Sequence, residues 1–189
     1  MKTGSAILMM AGLLVMPILA RAGAPSWTVD AAKSSITFTG TQTGTAFHGG
    51  FKKFTARIAF SPNDVPASHV DVTVDLASAY AGNAQRNAAL PGSDWFNVAK
   101  TPQAVFTSTH ITQSGPHAYQ AQGTLQLRGV TKPLTLPFTI AITGTTAQAV
   151  GHATILRTAF GVGQGPWQSG QYVGLHVAVT VTIVAHQTP

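Results

Sequence analysis

The chain has 189 residues, 44% of them hydrophobic and only 8% charged, and it contains no cysteine. That length suits one domain with a buried core, and the missing cysteine excludes disulfide scaffolds, thiolate metal sites, c-type haem attachment and cysteine nucleophiles. The net charge of +6 is thinly spread, with Lys52-Lys53 the only adjacent basic pair, so a phosphate-neutralising stripe is missing and nucleic acid is disfavoured as a partner.

Residues 1–24 are expected to form a cleavable secretory signal. Lys2 supplies a short basic start, and Ser5–Ala20 is an apolar run interrupted by Pro17. Ala20-Arg21-Ala22 and Ala22-Gly23-Ala24 both fit an A-x-A cleavage site. The run falls short of the roughly 20 apolar residues that a transmembrane helix needs. The short run suits a bacterial leader and no Asn-x-Ser/Thr sequon occurs, so residues 25–189 are expected to be a periplasmic domain.

Beyond the leader, period-two alternation dominates, and 25 threonines suit strands with one wet face. Ile36 and Phe38 alternate with Thr37 and Thr39, and Ile58 and Phe60 with Arg57 and Ala59. Val70, Val72, Val74 and Leu76 alternate with Asp71, Thr73 and Asp75. The run from Ala104 to Ser108 is ambiguous in its buried face. Leu125 and Leu127 follow, then Leu134, Leu136, Phe138, Ile140 and Ile142, then Ile155, and finally Leu175, Val177, Val179, Val181 and Ile183. Turn signals at Ser61–Asp64, Ser114–Pro116, Gly129–Pro133, Thr143-Gly144 and Gly163–Gly170 separate about eight strands, as in an antiparallel sandwich or closed barrel. Gly82–Val98 breaks the rhythm and reads as one or two helical turns, with Ser93 or Asp94 placed to cap the second.

An eight-stranded barrel is either filled by its own side chains or hollow enough for one small ligand, and the strand pattern leaves both open. Phe47, Phe51, Phe54, Trp95, Phe96, Phe160 and Trp167 read as loop aromatics that either line a mouth or plug the barrel ends.

Reactive constellations are missing from the sequence. Asp71 and Asp75 share a strand face but stand roughly 13 Å apart on strand geometry, too far to share a proton. The seven histidines, at 48, 69, 110, 117, 152, 176 and 186, form no H-x-H, H-x-x-x-H or H-E-x-x-H spacing. His110 and His117 flank a predicted hairpin turn and are positioned to meet across it. No G-x-S-x-G elbow or phosphate-cradling loop occurs, and Gly161–Gly165 reads as a loop or bulge. Arg86, close in sequence to Leu90, Trp95 and Phe96, is placed to clamp a polar head group, to pair with Asp94, or simply to face solvent. No enzyme activity, metal site or resident cofactor is expected.

Several segments in order resemble the YceI-like family of bacterial periplasmic proteins. They are Trp27–Asp30 with Ser34–Phe38, Phe47–Phe51 with Phe54, Gln85-Arg86 with Leu90, and Asp94–Val98. Pro102 and Phe106–Ser108 follow, then Gly123–Leu136 and Arg157–Gly163. The resemblance implies an all-β, lipocalin-like antiparallel eight-stranded barrel, with one or two short helical segments around residues 83–98. It also implies an interior that accepts a long amphiphile: a polyisoprenoid, an isoprenoid quinone tail or a fatty-acyl chain. On that reading Phe38, Phe60, Val74, Phe106, Leu127, Phe138 and Val179 line the interior. Phe47, Phe51, Leu90, Trp95, Phe96, Phe160 and Trp167 form the mouth, with Arg86 near the polar end. Asn87, Asn97 and Ala159 stand where the family tends to have Asp, which bears on head-group preference and not on the apolar tunnel. The expected function is a non-catalytic lipid carrier. The alternatives are an accessory of membrane electron transfer that handles quinone beside a b-type membrane cytochrome, and a lipid-processing enzyme. Contact with the membrane and a homodimer also fit the resemblance.

Overall fold

The computed structural model describes residues 23–188, so all but the last two residues of the expected leader lie outside the described residues. Eleven strands follow in order: β1 (Ser26–Val29), β2 (Ser35–Gln42), β3 (Thr45–Phe51), β4 (Phe54–Ala59), β5 (His69–Asp75), β6 (Ala79–Tyr80), β7 (Gln103–Gly115), β8 (Ala118–Leu127), β9 (Val130–Thr143), β10 (Thr146–Leu156) and β11 (His176–Gln187). They form one antiparallel sheet, and pairing of β1 with β11 closes it. β1 with β2, β3 with β4, and β5 with β6 are three bent strands, because the successive halves of each pair with the successive halves of the next. The molecule is therefore an eight-stranded lipocalin-like meander closed into a barrel.

Polar side chains hold the three bends. Asp30 accepts from the Ala32 amide at 3.1 Å and pairs with Lys33 at 3.1 Å. The Lys33 ammonium holds the Asp30 carboxyl below its ordinary range. Asp75 accepts from the Ala77 amide at 2.9 Å, and Ser78 Oγ accepts from the Lys53 amide at 3.0 Å, which stitches the second bend to the third.

Where strands bend together, the wall opens. β2 and β3 pair from Ile36↔Phe51 to Gln42↔Thr45, but β1 and β4 pair only at Ser26↔Ala59 and Trp27↔Ile58. Residues 28–35 and 52–57 have no partners across this seam.

Alternation behaves as the sequence suggests. On β9, Leu134, Leu136, Phe138 and Ile140 face inward, and Thr135, Pro137, Thr139 and Ala141 are exposed. The ambiguous run on β7 buries Ala104, Phe106 and Ser108. A bulge at Thr109 then shifts the parity so that Ile111 is buried.

Three expectations need correction. Phe47, Phe51 and Phe54 lie within β3 and β4 rather than in loops. Helix α1 (Ala84–Ala89) is capped by Asn83, which accepts from the Arg86 amide at 2.8 Å, and Ser93 and Asp94 stand in turns that cap no second helix. His110 pairs with Gln122, while His117 sits in the β7–β8 turn at φ 55°, so the two do not meet across the hairpin.

Candidate functional site

The barrel interior holds two apolar chambers stacked along its axis. The near chamber, at the α1 end, has a volume of about 170 Å³. The far chamber has about 90 Å³. Small inward residues make this space: Ala147, Ala149, Gly151 and Ala153 occupy successive inward positions of β10, facing Ala121 and Ala56 on other strands. Phe60, Tyr119 and Phe138 close the far end with ring centroids 5.1 to 6.1 Å apart, and Trp27 Nε1 donates to the Phe60 carbonyl at 3.0 Å.

Phe38, Phe47, Phe51, Val74, Leu90, Trp95, Phe96, Leu127 and Val179 line the near chamber. Phe60, Phe106 and Phe138 line the far chamber. Arg86 and Trp167 join Phe47, Leu90 and Trp95 around a vestibule of about 110 Å³ that leads into the near chamber. Phe160 lines none of these spaces; it is buried under the turn at Arg157–Phe160.

Arg86 is held across the vestibule. Its Nε donates to the Ala81 carbonyl at 2.6 Å and Nη1 to Gln42 Oε1 at 3.0 Å, with the guanidinium 4.8 Å from the Phe47 ring centre. It makes no ion pair with Asp94, whose carbonyl instead accepts from the Gly163 and Gln164 amides at 2.8 Å. Asn87 Oδ1 accepts from the Ala81 amide at 2.6 Å, so a neutral amide performs that backbone contact. Asn97 occupies a left-handed turn position at φ 53°, which asparagine tolerates well.

Arg157 is the residue that the sequence reading leaves unassigned. It is 3% exposed and lines the near chamber, where every other lining residue is apolar. Its guanidinium donates to the carbonyls of Val162 at 2.8 Å, Val173 at 2.7 Å, Gly174 at 2.9 Å and Trp167. Its centre lies 5.6 Å from the Trp95 ring centre. Burial pushes its pKa below the ordinary arginine value, and it remains a cation at neutral pH. Parity carries the signal: Ala147, Ala149, Gly151, Ala153 and Ile155 face inward, and Arg157 is next in that series. Trp95, Trp167 and Tyr172 continue outward from it, with centroids 5.8 and 6.3 Å apart.

This arrangement offers a hydrocarbon-lined interior beneath an aromatic mouth that holds two guanidinium groups. Among the described residues no cluster of three or more His or Asp side chains is positioned to hold a metal ion.

A family model described as the YceI-like domain matches residues 27–185. A UPF0312 protein of Vibrio vulnificus is 31% identical over 164 residues, covering 85% of this chain and 76% of that protein. Protein YceI of Escherichia coli O157:H7 is 39% identical over 89 residues, 47% of this chain and 46% of its own. The crystal structure of BcnA from Burkholderia cenocepacia superposes with a TM-score of 0.80 at 34% identity, covering 82% of this chain and 98% of that one. A polyisoprenoid binding domain from Saccharophagus degradans shares the fold at a TM-score of 0.69 and 14% identity, covering 87% and 99%. With the matched segment running from the Trp27 that caps the far chamber to the closing strand β11, the chain belongs to the YceI-like family.

Proposed function

We propose that the protein is a non-catalytic periplasmic carrier of a long-chain isoprenoid amphiphile. The tail lies in the barrel, and an anionic or strongly polar head group sits in the vestibule beside Arg86. The observation that carries this reading is the near chamber: apolar on every side except at Arg157, and continuous with a vestibule that presents a second guanidinium. The likeness to a polyisoprenoid binding domain supports the choice of tail. Burial is worth about 0.8 kcal/mol per carbon of chain, so each five-carbon unit supplies about 4 kcal/mol before the cost of ordering the chain. Affinity then rests on the tail, while the head group sets selectivity through charge-assisted hydrogen bonds.

Mouth-end charge supports exchange of cargo at an anionic membrane surface. The β6–β7, β8–β9 and β10–β11 connections bring Arg86, Lys100, Arg128 and Arg157 to one end of the barrel against Asp94 alone. Native and denaturing mass spectrometry of the exported protein, purified without added lipid, tests the carrier reading. A stoichiometric isoprenoid species is expected. Protein that emerges empty and also rejects isoprenoid quinones, polyprenyl phosphates and fatty amides would overturn it.

A further inference from the structure

Cargo and container do not match in size. An apolar cavity of about 150 Å³ accommodates a benzene molecule, so the near chamber at about 170 Å³ holds on the order of one or two isoprene units. The far chamber, at about 90 Å³, adds less. The two share no lining residue. Val74 lines one and Val72 the other, as do Val179 and Val181, and Ala104 and Phe106. Each pair lies two residues apart on one strand face, about 7 Å along the barrel, so a single layer of side chains divides the chambers.

A tail longer than this interior has to leave it, and the far chamber borders an opening. An external groove of about 590 Å³ runs along the seam between β1 and β4. Trp27, Ala56 and Ile58 line both that groove and the far chamber. Ala56 and Ile58 share the inward parity of Phe60; Ile58 pairs with Trp27 as the last rung before the seam, and Ala56 has no partner across it. Phe54 and Val29 extend the apolar floor outward. The groove therefore continues the far chamber to the surface and shares no lining residue with the near chamber or the vestibule.

We propose that this seam is the exit for the distal end of the cargo's hydrocarbon chain. The head group stays at the vestibule, the tail passes the dividing layer as its side chains, Phe106 foremost, rotate aside, and the excess length lies in the groove against Ala56, Ile58 and Phe54. The inference rests on the carrier reading and adds that the protein accepts chains longer than its interior.

The chain has no native cysteine, so Ala56→Cys places a single, nearly isosteric thiol in the seam. Ala31→Cys places one at its exposed outer lip, and Ala141→Cys on the exposed face of β9 is the control. Alkylation by iodoacetamide is followed for the full exported protein alone, with geraniol (two isoprene units), and with solanesol (nine units). Native mass spectrometry counts the prenol bound. Solanesol is expected to slow labelling at residues 56 and 31 by at least about tenfold, equivalent to about 1.4 kcal/mol, and to leave residue 141 unaffected. Geraniol is expected to protect neither seam position. Bound solanesol without protection overturns the seam exit and leaves the carrier reading standing. Protection by geraniol marks a separate small site in the far chamber, and protection that rises with protein concentration marks a second copy in the groove; either overturns the inference. Failure of the unsubstituted protein to bind solanesol overturns the inference, and rejection of polyprenyl phosphates, isoprenoid quinones and fatty amides as well overturns the carrier reading with it.

Discussion

Arg157 is a cation held by carbonyl oxygens rather than by a carboxylate. Its depressed pKa means that the folded state binds this proton less tightly than the unfolded chain does. That penalty persists at every pH below the folded pKa and relaxes only in strong alkali, so it creates no pH dependence near neutrality. Its structural value lies in the oxygens it satisfies. Replacing it by Met leaves the carbonyls of Val162, Trp167, Val173 and Gly174 without this donor in a buried loop. Arg157→Met is expected to cost about 2–3 kcal/mol, read as a lower urea midpoint at unchanged slope. Arg86 carries a different load, being half-buried with fewer partners. Arg86→Ala is expected to cost about 1 kcal/mol of stability. It should also weaken an anionic-headed prenyl phosphate about tenfold relative to the neutral prenol of equal length, measured by competition. Equal losses for both cargoes would remove Arg86 from the head-group site.

At the scale of elements, β3 determines how tightly the mouth half is drawn together. A Cβ on Gly49 would stand 2.3 Å from the Tyr80 carbonyl oxygen and 2.4 Å from the Phe38 ring. Both are fixed, one in the backbone of β6 and the other in the wall of the near chamber. Gly49→Ala is expected to destabilise by about 2 kcal/mol through overpacking and to shift Phe38, which a fall in prenol affinity alongside a lower urea midpoint would report. The same glycines explain why this strand was hard to read. Gly49-Gly50 resembles a turn in sequence, so Phe47 and Phe51 look like loop aromatics, although Gly is there to let backbone and rings approach. Strands β9 and β11 were legible because one face is wet along their length and the threonines mark it. The bends at residues 30–34, 52–53 and 76–78 were not, since they answer to closure of the barrel rather than to local propensity. The bulge at Thr109 was equally hidden, because a shift of parity leaves no composition signal. For the candidate site, strand parity marks the inward apolar positions such as Phe38, Val74 and Val179 without showing whether they enclose a cavity, and Arg157 falls just past the end of β10, where an alternating pattern is easily taken to stop.

On the scale of the whole molecule, charge is distributed unevenly along the barrel axis. The mouth end gathers Arg86, Lys100, Arg128 and Arg157, opposed by Asp94, whereas the far end, with the β4–β5, β7–β8 and β9–β10 connections, carries Asp64 and, among the described residues, no Lys or Arg. A sheet closed in this way presents a dipolar body whose basic end is also its apolar opening, so approach to an anionic bilayer is expected to be mouth-first. Lys100 and Lys132 are exposed near that end and line neither chamber nor the vestibule, which makes them suitable for testing steering apart from cargo binding. Delivery of a fluorescent prenyl cargo to vesicles containing anionic lipid, followed by stopped flow, is expected to slow about tenfold in the Lys100→Glu, Lys132→Glu double variant at low salt. The difference should shrink in high salt, where the screening length falls to about 3 Å, and vanish on uncharged vesicles. A delivery rate equal to that of the unsubstituted protein at every ionic strength would separate the charge asymmetry from exchange. In that event diffusion of the cargo through water, rather than docking of the mouth on the bilayer, would set the rate.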